Sequence, residues 1–166
     1  MGEEIFYWLA LSLTPGVGGI FIKRLLDRFG TPEAVFQAPL EELLQIEGLG
    51  EKVAREIQKG PVEKKVEKEL YLLKEVGGKI MTIKDESYPK RLKEIYDPPP
   101  LLYVRGELRE EDELAVAIVG SRKTTPYGKW MTEKMGQELA RRGITIVSGM
   151  ARGIDSLAHW GAISGG

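Results

Sequence analysis

Two short stretches, Gly120-Ser121-Arg122-Lys123 and Ser148-Gly149-Met150-Ala151-Arg152-Gly153, bring together the residue types that hold an anion. Each offers glycine backbone with accessible N–H groups, a hydroxyl and at least one cation, and an arginine adds a planar fork that matches phosphate oxygens. Other chemistries have less to work with. The chain has no cysteine, so a thiol nucleophile, a Cys-based zinc site and a disulfide framework are all excluded. Its single histidine, His159, stands without a second His or a Cys nearby, and no metal site is expected. Asp155 follows Gly153-Ile154 at a helix start and reads as a capping residue rather than a general base.

The type of anion is narrowed by what the loops lack. A dinucleotide fingerprint needs a second glycine two residues after the first, but Gly120 is followed by Ser121 and Arg122. It also needs an acid at the end of the next strand, where Val147-Ser148-Gly149 stands instead. No glycine is followed four residues later by Gly-Lys-Ser/Thr, so the P-loop is absent too. Two adjacent loops remain, both aimed at the carboxyl edge of a sheet, as a polyanion site with no obvious catalyst and no nucleotide cofactor.

The elements that must position these loops follow from hydrophobic period and glycine placement. The apolar runs 115–119 and 144–148 read as buried strands, and residues 126–142 and 153–163 as the helices that follow them. Strand, helix, strand, helix with short loops predicts an α/β fold with a partial Rossmann-like parallel sheet. A third strand, 101–104, is expected to join that sheet. Residues 62–76 predict an amphipathic helix whose stripe is Val62, Val66, Leu70 and Leu73. Gly77-Gly78 ends that helix and opens a connector with a strand in "KIMTI", a short helix in "YPKRLKEI" and an acidic loop at 107–113.

Before the connector lies a near-repeat, "LTPGVGGIFIKRL" at 13–25 and "QIEGLGEKVAREI" at 45–57. Both place an apolar residue between two glycines and then open a helix, the pattern of a helix-hairpin-helix unit. Gly16, Gly18, Gly48 and Gly50 are expected to supply positive φ. The expected domains are therefore 1–76, small and helical with helix-hairpin-helix-like turns, and 77–166, the first part of an extended Rossmann-like domain. Residues 115–166 hold seven Lys or Arg against three acids, whereas residues 1–60 hold six against nine. The anion-binding face is expected in the later segment, and the helical domain is expected to add little affinity.

The segments "AVAIVGSRKTTPYG", "IVSGMARGIDSLAHWGAI" and "YPKRLKEIYDPPPLLYVRGEL" resemble the bacterial DNA processing protein A (DprA/Smf) family, and the resemblance runs the length of the chain. It implies a protein that binds single-stranded DNA in a basic pocket, protects it and helps load the RecA recombinase during recombination and natural transformation, without enzymatic turnover or cofactor. Arg122 is then the residue expected on a DNA phosphate. Gly120, Ser121, Lys123, Ser148, Gly149, Arg152 and Gly153 are expected to line the same pocket. A homodimer is expected of the full-length protein, and the sequence ends where the next parallel strand should begin, so a truncated chain is expected. The competing reading is a Rossmann-type enzyme acting on a nucleotide or sugar phosphate, which would call for a "PGGxGT" loop and a catalytic Glu that do not occur here. The apolar run near the N-terminus, broken by Ser12, Thr14 and Pro15, is too short to span a membrane, and Met1-Gly2 lacks the context of a myristoylation signal. A cytoplasmic setting is expected.

Overall fold

The structure, a computed structural model, describes residues 2–166. Met1, on which the myristoylation reading partly falls, lies outside the described residues. The chain divides into two compact units, the first ending at Glu107 and the second Leu108–Gly166.

The first unit carries helices α1 (Glu3–Ser12), α2 (Gly19–Phe29), α3 (Pro32–Gln37), α4 (Leu40–Leu43), α5 (Glu51–Gln58) and α6 (Glu63–Glu75). The two expected hairpin turns join α1 to α2 and α4 to α5. In each, only the first glycine is left-handed, Gly16 at φ +84° and Gly48 at φ +79°. Gly18 and Gly50 are instead the extended N-caps of α2 and α5, at φ −102° and −72°. The residues between the glycines, Val17 and Leu49, drop into one core with Trp8, Ile22, Leu25, Val35, Leu43 and Ile57. The turns also grip each other reciprocally. A Cβ on Gly16 would lie 2.7 Å from Val53 Cγ2, and a Cβ on Gly48 3.7 Å from Phe21 Cε1. Phe21 and Val53 occupy equivalent places in the two copies of the repeat, so the pair is close to two-fold symmetric. Thr31 caps α3 by accepting the Ala34 N–H at 3.2 Å, and Pro32 opens the helix.

On α6, Val66 is fully buried against Leu9 and Ala10, with Leu70 packed beside it, while Val62 precedes the helix and is half exposed. Gly77, at φ +64°, turns the chain into β1 (Gly78–Thr82). After α7 (Lys90–Lys93) comes β2 (Leu101–Arg105), which pairs antiparallel with β1, Ile80 opposite Tyr103. The expectation that this strand joins the parallel sheet is thus corrected. Both segments have strand-like residues, and the partner was decided by a hairpin closed through the buried Tyr88, whose hydroxyl donates to the Pro99 carbonyl at 2.7 Å.

The second unit holds a 3₁₀ turn (Glu110–Glu113), β3 (Ala115–Ala117), α8 (Pro126–Ala140), β4 (Thr145–Val147) and α9 (Ile154–Gly165). β3 and β4 are parallel, with Ala115 opposite Thr145 and Ala117 opposite Val147. This is the partial Rossmann-like arrangement, with each strand leading through a loop into a helix. Helices α8 and α9 meet backbone to backbone along glycines. A Cβ on Gly136 would come 2.7 Å from the Ala158 carbonyl oxygen, and one on Gly161 would strike the Glu133 carbonyl. The buried face of α8 is accordingly Thr132 and Gly136. Of the large apolar residues of α8, Trp130 and Met135 are about half exposed, while Met131 and Leu139 are partly buried.

Asp112 ties the 3₁₀ turn to the sheet. Its carboxylate accepts the Arg109 N–H and the Thr145 hydroxyl, each at 2.8 Å. These hydrogen bonds, the backbone one foremost, hold its pKa below the ordinary carboxylate range. A depressed folded pKa means that Asp112 adds stability above its unfolded value, and that this stability is lost as pH falls below about 4. The melting temperature of Asp112→Asn should therefore lie below that of the parent near neutral pH, and the difference should shrink on acidification through that range.

Candidate functional site

The loops after β3 and β4 are interlocked before any ligand arrives. Thr125 caps α8 by accepting the Gly128 N–H at 3.1 Å, with Pro126 in the first turn, so the first loop is held between strand and helix. Gly153 opens α9 at φ +94° and presses on the first loop: a Cβ there would lie 2.7 Å from Arg122 Cα and would strike the Ser121 carbonyl oxygen. The Ile154 N–H donates to that same oxygen at 3.2 Å. A Cβ on Gly120 would in turn meet Ile154 Cγ1 at 2.8 Å. The side chain of Ser148 adds a third tie by donating to the Ile118 carbonyl at 2.6 Å. Ser121 braces its own loop, its hydroxyl donating to the Lys123 carbonyl at 2.7 Å and accepting the Lys123 N–H at 3.1 Å.

The second loop is braced from within. Asp155 is buried to 7% exposure, accepts the Ala151 N–H at 3.4 Å, and would stand 2.9 Å from a Cβ on Gly149. Met150 bends it at φ +55°, a left-handed conformation unusual for a side-chain-bearing residue, with its side chain 85% exposed.

Beside these loops opens a cleft of about 400 Å³ lined by Arg122, Lys123, Thr124, Lys129, Gly153, Ser156 and Leu157. Of the residues singled out from the sequence, Arg122, Lys123 and Gly153 line it, while Gly120 and Ser121 form the backbone behind them. Ser148, Gly149 and Arg152 belong to the neighbouring loop and are not on its wall. Lys129, Thr124 and Ser156 were not foreseen; the signal for Lys129 was its place four residues past the Thr125 cap, on the helix turn that faces the loop. The Arg122 and Lys123 side chains are exposed, and Arg122 makes no ion pair among the described residues. The charged lining is therefore wholly cationic, at the carboxyl edge of a parallel pair, where such folds take ligands. In the first unit the hairpins present a different surface. Arg24 donates to the Glu47 carbonyl and pairs with its carboxylate, and Arg55 pairs with Glu51 at 2.6 Å.

Residues 79–166, just over half of the chain, match the family described as DNA recombination-mediator protein A. The chain belongs to that family. Residues 6–60, which hold both hairpins, match the helix-hairpin-helix motif as well. Among relatives of the recombination-mediator family, the chain is 37% identical to the protein Smf of Synechocystis sp. over 161 residues, which are 95% of this chain and 40% of that protein. It is 44% identical to the DNA processing protein DprA of Streptococcus pneumoniae over 85 residues, 51% of this chain and 30% of that one. The X-ray structure of that Streptococcus pneumoniae DprA superposes with a TM-score of 0.72 at 31% identity, covering 96% of this chain and 54% of the other. The chain thus spans about 40% of the Smf relative's length and about half of the solved relative. The recombination-mediator match takes in the whole of the cleft, both of its loops and the helices they open.

Proposed function

We propose that the protein binds single-stranded DNA in recombination and natural transformation, with the strand's phosphates in the Arg122–Lys123–Lys129 cleft. The observation that carries this reading is the cleft's lining: three cations, two hydroxyl-bearing side chains and Gly153 on one open wall. A chain of phosphates is held by such a lining through charge and release of counterions, with no bond broken. In keeping with its family, the protein protects the strand and helps load the RecA recombinase, and with the rest of the relatives' length it forms a homodimer. The second loop, with Ser148, Gly149 and Arg152, meets the strand where it leaves the cleft. The hairpins contribute little, since their arginines are engaged by Glu47 and Glu51.

The test is fluorescence anisotropy with labelled oligo-dT and with a duplex of equal length. Tighter binding of the single strand, weakening steeply with salt, is the expected result. Lys23→Glu in the first hairpin should leave that affinity within about twofold, because Lys23 is not among the residues that line the cleft and an exposed surface charge is screened at moderate salt. Release of base or sugar from nucleoside monophosphates, with no oligonucleotide bound, would replace this reading by an enzymatic one.

A further inference from the structure

The start of α8 carries two large rings that neither the core nor the phosphate cleft uses. Tyr127 and Trp130 are 67% and 53% exposed, and their ring centroids lie 6.2 Å apart at an angle of 42°. The helix does not need them for packing, because it buries Thr132 and Gly136 against α9. They stand beside the cleft: Lys129, between them in sequence, and Thr124, just before the helix, both line it. The Lys134 ammonium sits 5.0 Å from the Trp130 ring centroid, which adds a further positive charge along the same helix.

We propose that Tyr127 and Trp130 form a base-stacking step for a single strand whose phosphates occupy the neighbouring cleft. The proposal rests on the single-stranded DNA reading and adds to it the part of the ligand that is read by contact with bases. An exposed ring beside a cationic track is the pairing of groups that single-strand binders use, since every base has a face to stack and none need be distinguished. In a duplex those faces are covered by neighbouring bases, so the rings favour a single strand. Because the two rings are tilted, one flat base cannot cover both, and each ring takes its own base.

The deciding measurement compares oligo-dT with an abasic deoxyribose-phosphate strand of the same length, using the whole chain. Trp130→Ala and Tyr127→Ala should each weaken oligo-dT binding roughly five- to a hundredfold while leaving abasic binding and the melting temperature unchanged. Trp130→Phe should recover most of the loss, because a smaller ring still stacks. Arg122→Ala should weaken both ligands, because it removes a phosphate contact. If the alanine variants bind oligo-dT as the parent does, or lose both ligands in equal measure, the stacking step is overturned while the cleft stands. If the parent binds neither strand, the DNA reading itself falls and the stacking step falls with it.

Discussion

Arg122→Ala should weaken single-stranded DNA binding roughly ten- to a hundredfold while leaving the melting temperature unchanged. The guanidinium stands exposed on the wall of the cleft and has no carboxylate partner among the described residues, so its removal breaks nothing inside the fold. A phosphate held by its two N–H groups receives a charge-assisted bidentate contact of about 1.5 to 3 kcal/mol, which sets the size of the loss. Loss of one phosphate contact should also flatten the slope of log affinity against log salt by about 0.7. Arg122→Lys keeps the charge without the fork and should fall between the two. A melting temperature that drops while affinity and salt slope hold would show that the arginine braces the first loop and does not hold DNA.

The largest effect on stability should come from Gly161→Ala. Alanine is ordinarily the better helix residue by about 1 kcal/mol. At this position, however, its methyl would lie 3.1 Å from the Glu133 Cα and on top of the Glu133 carbonyl oxygen, both backbone atoms that no rotamer change can move aside. The two helices would have to separate, and overpacking of this type costs about 1 to 3 kcal/mol. The expected outcome is a melting temperature lower by several degrees, at about 2 to 4 °C per kcal/mol for a chain of this size. Gly50→Ala is the matched control: its φ of −72° suits alanine and nothing lies within 4 Å of the new methyl, so its melting temperature should barely move.

Those glycines also mark where the sequence was and was not legible. The hairpins were readable because Gly16 and Gly48 sit at matching places in a repeat, and a left-handed glycine before a helix leaves a local trace. The loops were readable for the same reason, since strand, Gly-Ser-Arg and Thr-Pro follow one another within a few residues. The face that α8 buries was not. Two of its large apolar residues, Trp130 and Met135, lie about half exposed, while the seam runs through Thr132 and Gly136, which carry no hydropathy signal. The pairing of 101–105 was missed because a strand's residues announce an extended conformation without naming the partner. Lys129 was counted as charge but not placed, because whether a helical side chain reaches a neighbouring loop depends on how that helix lies against the sheet. Arg152 shows the converse: it belongs to the most recognisable stretch of the chain, yet it projects from the loop beside the cleft and not from its wall.

The mutual grip of the two hairpins makes the helical repeat indivisible. Gly16 has its neighbour in α5 and Gly48 has its neighbour in α2, while Val17 and Leu49 share one core. Neither copy holds a finished interior, so opening one strips the other of its contacts. The cheapest opening of either copy should therefore be the loss of both at once, and the amide protons of α2 and α5 should exchange through a single cooperative event despite lying some thirty residues apart in the chain. Duplication of a motif usually suggests two parts that could be used or lost separately; here it has produced one.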